Sequence, residues 1–511
     1  MEGEDELEEA TIAGLQVQLG SGELTARQLV ERLLERIEAI DHSGPTLRSV
    51  IEVNPDVINI ADALDRERAE RGPRGPLHGI PILLKDNIDT ADRMQTTAGS
   101  LALLGIPVSQ DATAAKRLRD AGAILLGKSN LSEWANFRST RSSGGWSGRG
   151  RQTRNPYVLD RNPGGSSSGS AVAVSANLVM AALGTETDGS IMSPSSVCGV
   201  VGIKPTVGRT SRAGVIPISH SQDSVGPHAR TVADAAMVLA AIIGPDGRDP
   251  ATSSAPALGD LTGRLDPEGL RGARIGVLRK LHTGLSEHAD KVFEESLAVL
   301  RGCRVELVDE VEIPGEADLR ENFGDSDVRA EMLVMEYEFK AGIEAYLATR
   351  PGAEARTLAD LIRFNEEHAA EEMPYFGQER WLSAAGRGPL TDELYLKARE
   401  QSRQFRDGLT EFFREQRFDA LVLPTNAPPP PIDLLHTTRP LGVSGAQAAA
   451  VAGFPLITVP AGFVFDLLPI GLTFLGPAWS EMALIRFAFA FEQANPVRRP
   501  PRFVRTTADL P

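Results

Sequence analysis

The chain of 511 residues contains a serine-rich stretch whose residue types suit nucleophilic catalysis. Residues 164–170 read GGSSSGS, and the five residues from Gly165 to Gly169 match G-x-S-x-G, the nucleophile elbow of serine hydrolases. The same composition is typical of a flexible linker, because Gly/Ser runs without apolar residues behave as random coil. The stretch is therefore a linker, an elbow or a catalytic loop of another kind.

Two further residues have types and positions that suit acyl chemistry. Ser190 ends the segment GTETDGS (184–190), in which successive backbone N–H groups can converge as an oxyanion site requires. Lys85 directly follows the apolar strand candidate GIPILL (79–84). Partial desolvation there would lower the pKa of the lysine and make a neutral, proton-accepting amine attainable. A lysine at a strand end is by itself more often a surface residue, and it is the combination of Lys85 with Ser190 and the Gly/Ser stretch that points to catalysis.

The surrounding sequence disfavours both the linker and the elbow. The segment from Pro163 to Ile203 contains only two charged residues, Glu186 and Asp188, whereas a linker should be solvated. An elbow needs a strand immediately before the serine, but the preceding LDRNPGG (159–165) contains a proline and two glycines. No histidine lies in a matching downstream context. A catalytic loop outside the elbow class is the favoured interpretation.

Five segments in a fixed order resemble the amidase signature family. They are LHGIPILLKDN (77–87), NPGGSSSGSA (162–171), ALGTETDGSI (182–191), CGVVGIKPTVGRTSRAGVIP (198–217) and SQDSVGP (221–227). The 24-residue interval from Ser166 to Ser190 also fits that family. Within it, the chain is most similar to the peptide-amidase branch. The resemblance covers nearly the whole chain and is weakest over residues 316–417.

The resemblance implies a Lys-Ser-Ser triad. Ser190 matches the nucleophile that forms the acyl-enzyme, and Lys85 matches the base. Ser166 matches a bridging serine, which in the family follows a cis peptide bond, here Gly165–Ser166. A hydroxyl both donates and accepts a hydrogen bond, so Ser166 can pass a proton from Ser190 to neutral Lys85.

The resemblance also implies an oxyanion hole and shows where this chain departs from the family. Four residues match the backbone N–H donors of the hole: Thr187, Asp188, Gly189 and Ser190. Most members read GTDTGGSIR, whereas here Glu186, Asp188 and Met192 replace the Asp, a Gly and the Arg. The joint loss of the Asp and the Arg suggests one lost ion pair, which costs less than losing either partner alone.

Alternating strand and helix patterns must position these segments. Helix starts are predicted at the capping box TARQ (25–28) and at TVAD (231–234), and AVAVSANLVMAAL (171–183) predicts a buried helix. The last two strand candidates, 455–463 and 469–476, predict a hairpin. The strand candidates before it are 79–84, 123–130, 199–205, 273–278, 303–314 and 418–425.

The alternation predicts an α/β fold with a mixed sheet. Residues 316–417 are charged, helical in period and almost strandless, which predicts a helical layer on the α/β body. Together with the resemblance, this gives one amidase signature domain over residues 1–511. Its large mixed β-sheet core is expected to be covered by helices on both faces.

Composition limits the partners and cofactors. Lys plus Arg total 53 and Asp plus Glu 69, so the net charge of −16 disfavours nucleic acid. Only two cysteines, Cys198 and Cys303, are present, and no CxxC or HExxH spacing suggests zinc. We expect no metal and no organic cofactor. The acidic start MEGEDELEEA lacks the basic and apolar regions of a signal peptide, so the expected location is cytoplasmic, without a membrane span.

The expected function is a serine-type amidase that hydrolyses C-terminal peptide amides to the free acid and ammonia through an acyl-enzyme. The partner is then a small-molecule or peptide amide, and the protein a monomer or homodimer. Three alternatives stay open. The chain could hydrolyse fatty-acid or other aliphatic or aromatic amides, act as an amidotransferase subunit, or bind ligands on this fold without catalysis.

Overall fold

The computed structural model describes residues 7–263, 265–284, 286–324, 326–435 and 445–509. The remaining residues of the predicted 1–511 domain lie outside the described residues. They include the first six residues, on which the predicted location partly rests. The single-domain boundary stays a prediction. None of the described helices is long and apolar enough to cross a membrane.

The described residues form one large sheet and one short ribbon. The strands in chain order are β1 (Val50–Val53), β2 (Pro81–Lys85), β3 (Ile124–Ser129), β4 (Trp146–Ser147), β5 (Arg151–Gln152), β6 (Ala181–Glu186), β7 (Val201–Lys204), β8 (Ser224–Ala229), β9 (Arg274–Leu278), β10 (Glu306–Val311), β11 (Ala420–Pro424), β12 (Leu456–Val464) and β13 (Leu468–Leu475). Eleven of them form a sheet in the order β1-β3-β2-β6-β8-β7-β12-β13-β11-β9-β10, and β4 pairs with β5.

Helices connect and cover these strands. In chain order they are α1 (Ile12–Ser21), α2 (Ala26–Arg36), α3 (Val57–Arg71), α4 (Thr113–Asp120), α5 (Ser168–Ser175), α6 (Met192–Val197), α7 (Val232–Ile242), α8 (Glu287–Gly302), α9 (Ala330–Ala348), α10 (Leu358–Glu367), α11 (Ala369–Glu372), α12 (Glu379–Ala385), α13 (Glu393–Gln416), α14 (Gln447–Ala452) and α15 (Glu481–Ala494). Helices α9 to α13 all lie within the segment predicted as a helical layer.

The centre of the sheet is buried on both faces. Every residue of β2, β3, β6, β7 and β8 is buried, and successive side chains of a strand point to opposite faces. The sheet is mixed, because β2 runs parallel to β3 and β6 whereas β8 runs antiparallel to β6 and β7. The predicted fold class, a mixed sheet covered on both faces, is confirmed.

Local sequence signals explain several element boundaries. The capping box at Thr25 is present, since its side chain accepts from the Gln28 N–H and its N–H donates to Gln28. Thr231 likewise caps α7 by accepting from Asp234. The predicted C-terminal hairpin is confirmed as the antiparallel pair β12–β13. These three features depend on local patterns, and they lie where the sequence predicts them.

One predicted element is wrong at the place that matters most. The buried helix predicted over 171–183 ends as α5 at Ser175, and the residues from Ala181 onward form the central strand β6. An apolar run without a polar face suits a buried helix and a buried strand equally well. The extra strand leads directly into the segment that holds Ser190.

Candidate active site

Lys85 lies at the C-terminal end of β2 and is completely buried. Its Nζ donates to Ser166 Oγ at 2.8 Å and to Ser167 Oγ at 3.0 Å. Thr185, near the end of β6, provides two more acceptors, its Oγ1 at 2.9 Å and its carbonyl oxygen at 3.2 Å. The parallel pairing of β2 with β6 brings Lys85 next to Thr185, and the hydrogen bond from Ser167 to the Thr185 carbonyl brings the serine stretch to the same point.

The surroundings of Lys85 favour its neutral form. Burial lowers the pKa of Lys85 to about 7, against the opposing charges of Asp223 and Glu186. At this pKa a substantial fraction of the amine is neutral near pH 7. It can then accept a proton from a neighbouring hydroxyl, as the sequence-based prediction for this residue requires.

The Gly/Ser stretch is a packed loop rather than a linker. Ser166 and Ser167 are both completely buried, and the peptide bond Gly165–Ser166 is cis, as the family resemblance implies. Gly164 has a φ of +73°, and a side chain there would collide with the backbone at Pro194 of α6. The glycine thus lets the serine loop lie directly against the segment that follows Ser190.

The same loop does not have the form of a nucleophile elbow. No strand immediately precedes Ser167, the central serine of the G-x-S-x-G match. Its hydroxyl donates to the Thr185 carbonyl at 3.0 Å. A side chain at Gly184 would collide with Ser167, so this glycine is what permits the loop to approach β6. Ser167 is therefore placed as a partner of Lys85, inside the protein.

Ser190 lies beyond the end of β6, next to the serine loop. The Ser167 N–H donates to the Ser190 carbonyl oxygen at 3.0 Å, which ties the two segments together. Ser190 is 8% exposed, whereas Ser166 is fully enclosed, so of the two Ser190 is the one that solvent reaches. In the described part of the chain, no hydrogen bond joins the two hydroxyls. The sequence-predicted triad residues thus share one site, with the Lys85–Ser166 contact already formed.

The carboxylate of Glu186 shapes the turn around Ser190. It accepts from the N–H groups of Ile191 at 2.6 Å and Met192 at 2.9 Å. Burial raises the pKa of Glu186, while the charge of Lys204 and these backbone donors oppose the shift. Glu186, which replaces the Asp of most family members, therefore fixes the backbone that follows Ser190, at the start of α6.

The residues predicted to form the oxyanion hole differ in the partners of their backbone N–H groups. Among the described residues, the N–H groups of Thr187, Asp188 and Ser190 donate to no protein acceptor. The Gly189 N–H lies close enough to the Glu186 carboxylate to lower the pKa of that group. Among the described residues, three of the four predicted donors thus have no protein acceptor, and their role as oxyanion donors stays a prediction.

Neighbouring segments hold this turn in place. Thr187 Oγ1 donates to Asp223, whose other oxygen accepts from the N–H groups of Ile218 and Ser219. Burial raises the pKa of Asp223 to about 6, although these hydrogen bonds oppose the shift. The helical layer contributes as well, because the Ser219 hydroxyl donates to Glu338 of α9. The layer thereby supports the site without supplying the triad.

Several functional neighbours were missed in the sequence. Ser167 and Thr185 complete the hydroxyl shell of Lys85, and Asn87 donates to Thr185 Oγ1 at 3.0 Å. All three residues lie inside segments that resemble the amidase signature family, and this position could have identified them. The sequence-based prediction, however, gave Lys85 a single serine partner, Ser166. His228 lies in β8. Burial and the charge of Lys85 lower its pKa to about 3, so it is neutral.

Metal-ligating side chains do not cluster in the described ranges. No group of three or more His, Cys, Asp or Glu residues there could hold a metal ion. Cys198 and Cys303 are both free, and burial raises the pKa of each thiol.

Comparisons with known proteins extend over the same elements. The family model described as Amidase matches residues 28–485. A probable amidase of Arabidopsis thaliana is 43% identical over 504 residues, which cover 98% of this chain and 92% of the relative. The native peptide amidase from Stenotrophomonas maltophilia is 49% identical, with a TM-score of 0.91 over 97% of this chain and 99% of that chain.

A second structure carries a bound inhibitor. It is a peptide amidase in complex with the competitive inhibitor chymostatin, 49% identical to this chain with a TM-score of 0.92. The match covers 97% of this chain and 99% of that chain. The similarity therefore includes the helical layer, where the sequence alone gave the weakest resemblance.

Proposed function

Since the chain belongs to the amidase signature family and is an amidase, we propose that its substrates are peptides with a C-terminal amide. It would hydrolyse them to the free acid and ammonia. The observation that carries the proposal is the buried Lys85–Ser166 contact next to Ser190, in a chain that is 49% identical to a peptide amidase over nearly its whole length.

The acylation step uses the hydroxyls as a relay. Ser190 Oγ attacks the amide carbonyl carbon while its proton passes to Ser166 Oγ, and Ser166 gives its own proton to neutral Lys85 Nζ. Negative charge develops on the carbonyl oxygen, where the N–H groups of Thr187, Asp188 and Ser190 would stabilise it. The proton then returns through Ser166 to the leaving nitrogen, the C–N bond breaks, and ammonia departs.

Hydrolysis of the acyl-enzyme repeats this sequence with water. Water attacks the ester carbon, its proton reaches Lys85 through Ser166, and the second tetrahedral intermediate uses the same N–H donors. Collapse breaks the bond to Ser190 Oγ, which takes back a proton. One water is consumed and one carboxylic acid is released, so lysine and both serines return to their initial state.

The substrate preference requires a closed wall beyond the scissile nitrogen. Ammonia is small, and a further residue on that side would have to enter the same space. A misfit at a closed, dry wall is rejected strongly, whereas small differences in size alone give only about 1–3 kcal/mol. We therefore expect an N-acylated peptide amide to be deamidated and the same peptide extended by one residue to remain intact.

The test follows ammonia and peptide products together. Both peptide series are incubated at equal concentration, with long-chain fatty amides and free glutamine as further substrates. Ammonia from the peptide amides, with the extended peptides uncleaved in a mass spectrum, supports the proposal. Comparable cleavage of internal bonds, or turnover of fatty amides or glutamine alone, contradicts it. The Ser190→Ala variant provides the background rate.

A further inference from the structure

A left-handed turn supports the loop that carries Ser166. Trp134 and Ala135 have φ values of +50° and +52°, and Asn136 has a φ of +71°. Such φ values are strained in residues other than glycine and persist only where the surroundings enforce them. The turn begins at Ser132, whose N–H donates to the Ser166 carbonyl oxygen at 3.0 Å. The groups that enforce the turn therefore also fix the position of the bridging serine.

Glu133, the second residue of the turn, is held by its carboxyl group. Its side chain is buried, with Oε1 2.7 Å from Arg138 Nε and Oε2 accepting from the Gly148 N–H at 2.6 Å. Arg138 is completely buried as well, and it donates to the carbonyl oxygens of Phe376 and Gly377 in the helical layer. The turn is thus joined to the α/β body and to the helical layer at the same point.

A second buried carboxyl group meets the first. Glu372, the last residue of α11, is completely buried, and its Oε1 accepts from the Leu101 N–H at 2.5 Å and from the Ser100 hydroxyl at 3.2 Å. Its Oε2 has no donor in the described part of the chain. The carboxyl groups of Glu133 and Glu372 lie within hydrogen-bonding reach of each other. A Cβ at Gly148 would lie 2.7 Å from Glu372 Oε2 and 3.1 Å from Glu133 Oε2, so the two oxygens converge on this glycine.

The charges of this cluster do not balance without a proton. Two carboxylates and one guanidinium would leave one uncompensated negative charge in a region closed to water, which is unfavourable. Burial raises the pKa of Glu133 well above its usual range, and the charge of Glu372 adds to the shift while that of Arg138 opposes it. One proton on the carboxyl pair, Glu133 and Glu372, makes the cluster neutral.

Charged side chains on the surrounding segments have partners of their own. Arg149, which follows the turn between β4 and β5, pairs with Glu52 and Asp86. Glu379 of α12 is exposed and accepts from the Ser139 hydroxyl at 2.5 Å. Among the described residues, the guanidinium named above is therefore the cation that faces the carboxyl pair.

We infer that Glu133 and Glu372 share one proton and act as positioning residues for Ser166. The inference rests on the proposed relay through Ser166. The shared proton supplies the donor that Glu372 Oε2 lacks and joins α11 to the turn that begins at Ser132. When the proton leaves for solvent, two adjacent buried carboxylates repel each other, and the turn loses its connection to the helical layer.

The pH dependence of kcat tests the shared proton. We measure kcat and KM for an N-acetylated peptide amide from neutral to alkaline pH. In the wild type, kcat should fall by at least about tenfold at alkaline pH while KM changes less, because the relay loses its geometry and the substrate keeps its contacts. Glu372→Gln provides a permanent N–H donor to Glu133 and retains an oxygen for the Leu101 N–H. Its kcat at neutral pH should stay within about threefold of the wild type, and the alkaline fall should disappear.

Two further variants separate positioning from a merely structural role. Glu372→Ala removes donor and acceptor together, so its kcat should fall by about tenfold or more at every pH, and Gln at this position should rescue it. A purely structural Glu372 would leave the alkaline fall in place when replaced by Gln. Glu379→Gln, the matched control, changes an exposed acid of the same layer and should keep the wild-type profile.

Two measurements test the carboxyl pair without substrate. A folded-state pKa of Glu133 above its unfolded value means that the stabilisation is complete below the ordinary glutamate pKa and is lost as the pH rises towards the folded-state value. The Tm of the wild type should therefore fall more steeply with rising pH than that of Glu372→Gln. In the wild type, an infrared band of a protonated carboxyl group should disappear over the pH range in which kcat falls.

The outcomes distinguish this inference from the proposed function. A wild-type kcat that stays constant at alkaline pH, or an alkaline fall that persists in Glu372→Gln, overturns the shared proton. An effect confined to KM overturns the positioning of Ser166. If Glu372→Gln does not fold, the infrared titration of the wild type decides, and the absence of a titrating carboxylic acid band contradicts the inference. Failure to release ammonia from any peptide amide would contradict the proposed function, while Tm and the infrared band would still test the pair.

Discussion

Lys85 and Lys204 are two buried lysines that each end a strand of the same sheet, β2 and β7. Burial lowers the pKa of Lys85 to about 7 and that of Lys204 to about 8. Their hydrogen-bond partners differ. Lys85 faces three hydroxyls and one carbonyl, whereas Lys204 donates to the carbonyl oxygens of Pro205 and Phe454.

The difference shows that a lowered pKa does not by itself make a catalytic base. A carbonyl oxygen has no proton to release, so Lys204 can only donate to its partners. A hydroxyl can both give and receive a proton, so the region around Lys85 can transmit one. The Lys204 region instead joins β7 to Phe454, two residues before β12, so this lysine ties two backbone segments together.

Removing each lysine gives the largest expected contrast. Lys85→Met should lower kcat by at least about 10³, because general-base catalysis contributes about 10²–10⁴ and the serine relay loses its end point. Lys204→Met, the matched control, should change kcat by less than about tenfold. Steady-state kinetics, with circular dichroism to verify folding, measure both. Retention of more than a tenth of the wild-type kcat in Lys85→Met would remove the lysine from the mechanism.

Loss of the bridging serine should have the next largest effect. Ser166→Ala keeps the nucleophile but interrupts the relay, so acylation should slow by about 10²–10³ without stopping. Single-turnover mass spectrometry of the acyl-enzyme measures this rate. Acylation at the wild-type rate would mean that Ser190 reaches its base by another route.

The pH dependence should follow the lysine. Only neutral Lys85 accepts a proton, so kcat/KM should rise with pH through an apparent pKa of about 7 and level off above it. Below that pKa the rate should fall about tenfold per pH unit. A profile that is flat between pH 5 and 8, measured in one constant-ionic-strength buffer series, would contradict a lysine base.

The smallest effect is expected from Ser167→Ala. Ser167 binds Lys85 but has no link to the scissile bond in the proposed relay. Losing its hydrogen bonds to Lys85 and to the Thr185 backbone should cost about threefold to tenfold in kcat/KM. A loss as large as that of Ser166→Ala, in the same assay, would show that the two serines share the proton transfer.

The sequence singled out three residues that the structure brings together, but it did not predict all of the elements that hold them. Lys85 and Ser166 are in contact, and Ser190 lies beside them, because short family-like segments carry these residues. The first half of strand β6, which precedes Ser190, was predicted as helix, since an all-apolar run does not distinguish the two buried forms. Only the pairing of β6 with β2 and β8 decides between them.

Contacts between distant segments could not be predicted from the sequence either. Ser167 and Thr185 reach Lys85 from positions 82 and 100 residues away, and Glu338 of α9 supports the Ser219 loop from 119 residues away. No local pattern predicts such proximity. The segment 316–417 was correctly seen as helical in period, but its connection to the site depends on tertiary packing.

Irreversible labelling of the nucleophile tests the central claim most directly. The claim is that Ser190 attacks the substrate and Lys85 activates it through Ser166. A fluorophosphonate probe is reacted with the wild type and with Lys85→Met, and the modified peptide is identified by mass spectrometry. The probe should label Ser190 in the wild type and react far more slowly in the variant. Labelling of Ser167, or an equal rate in both proteins, would contradict the account.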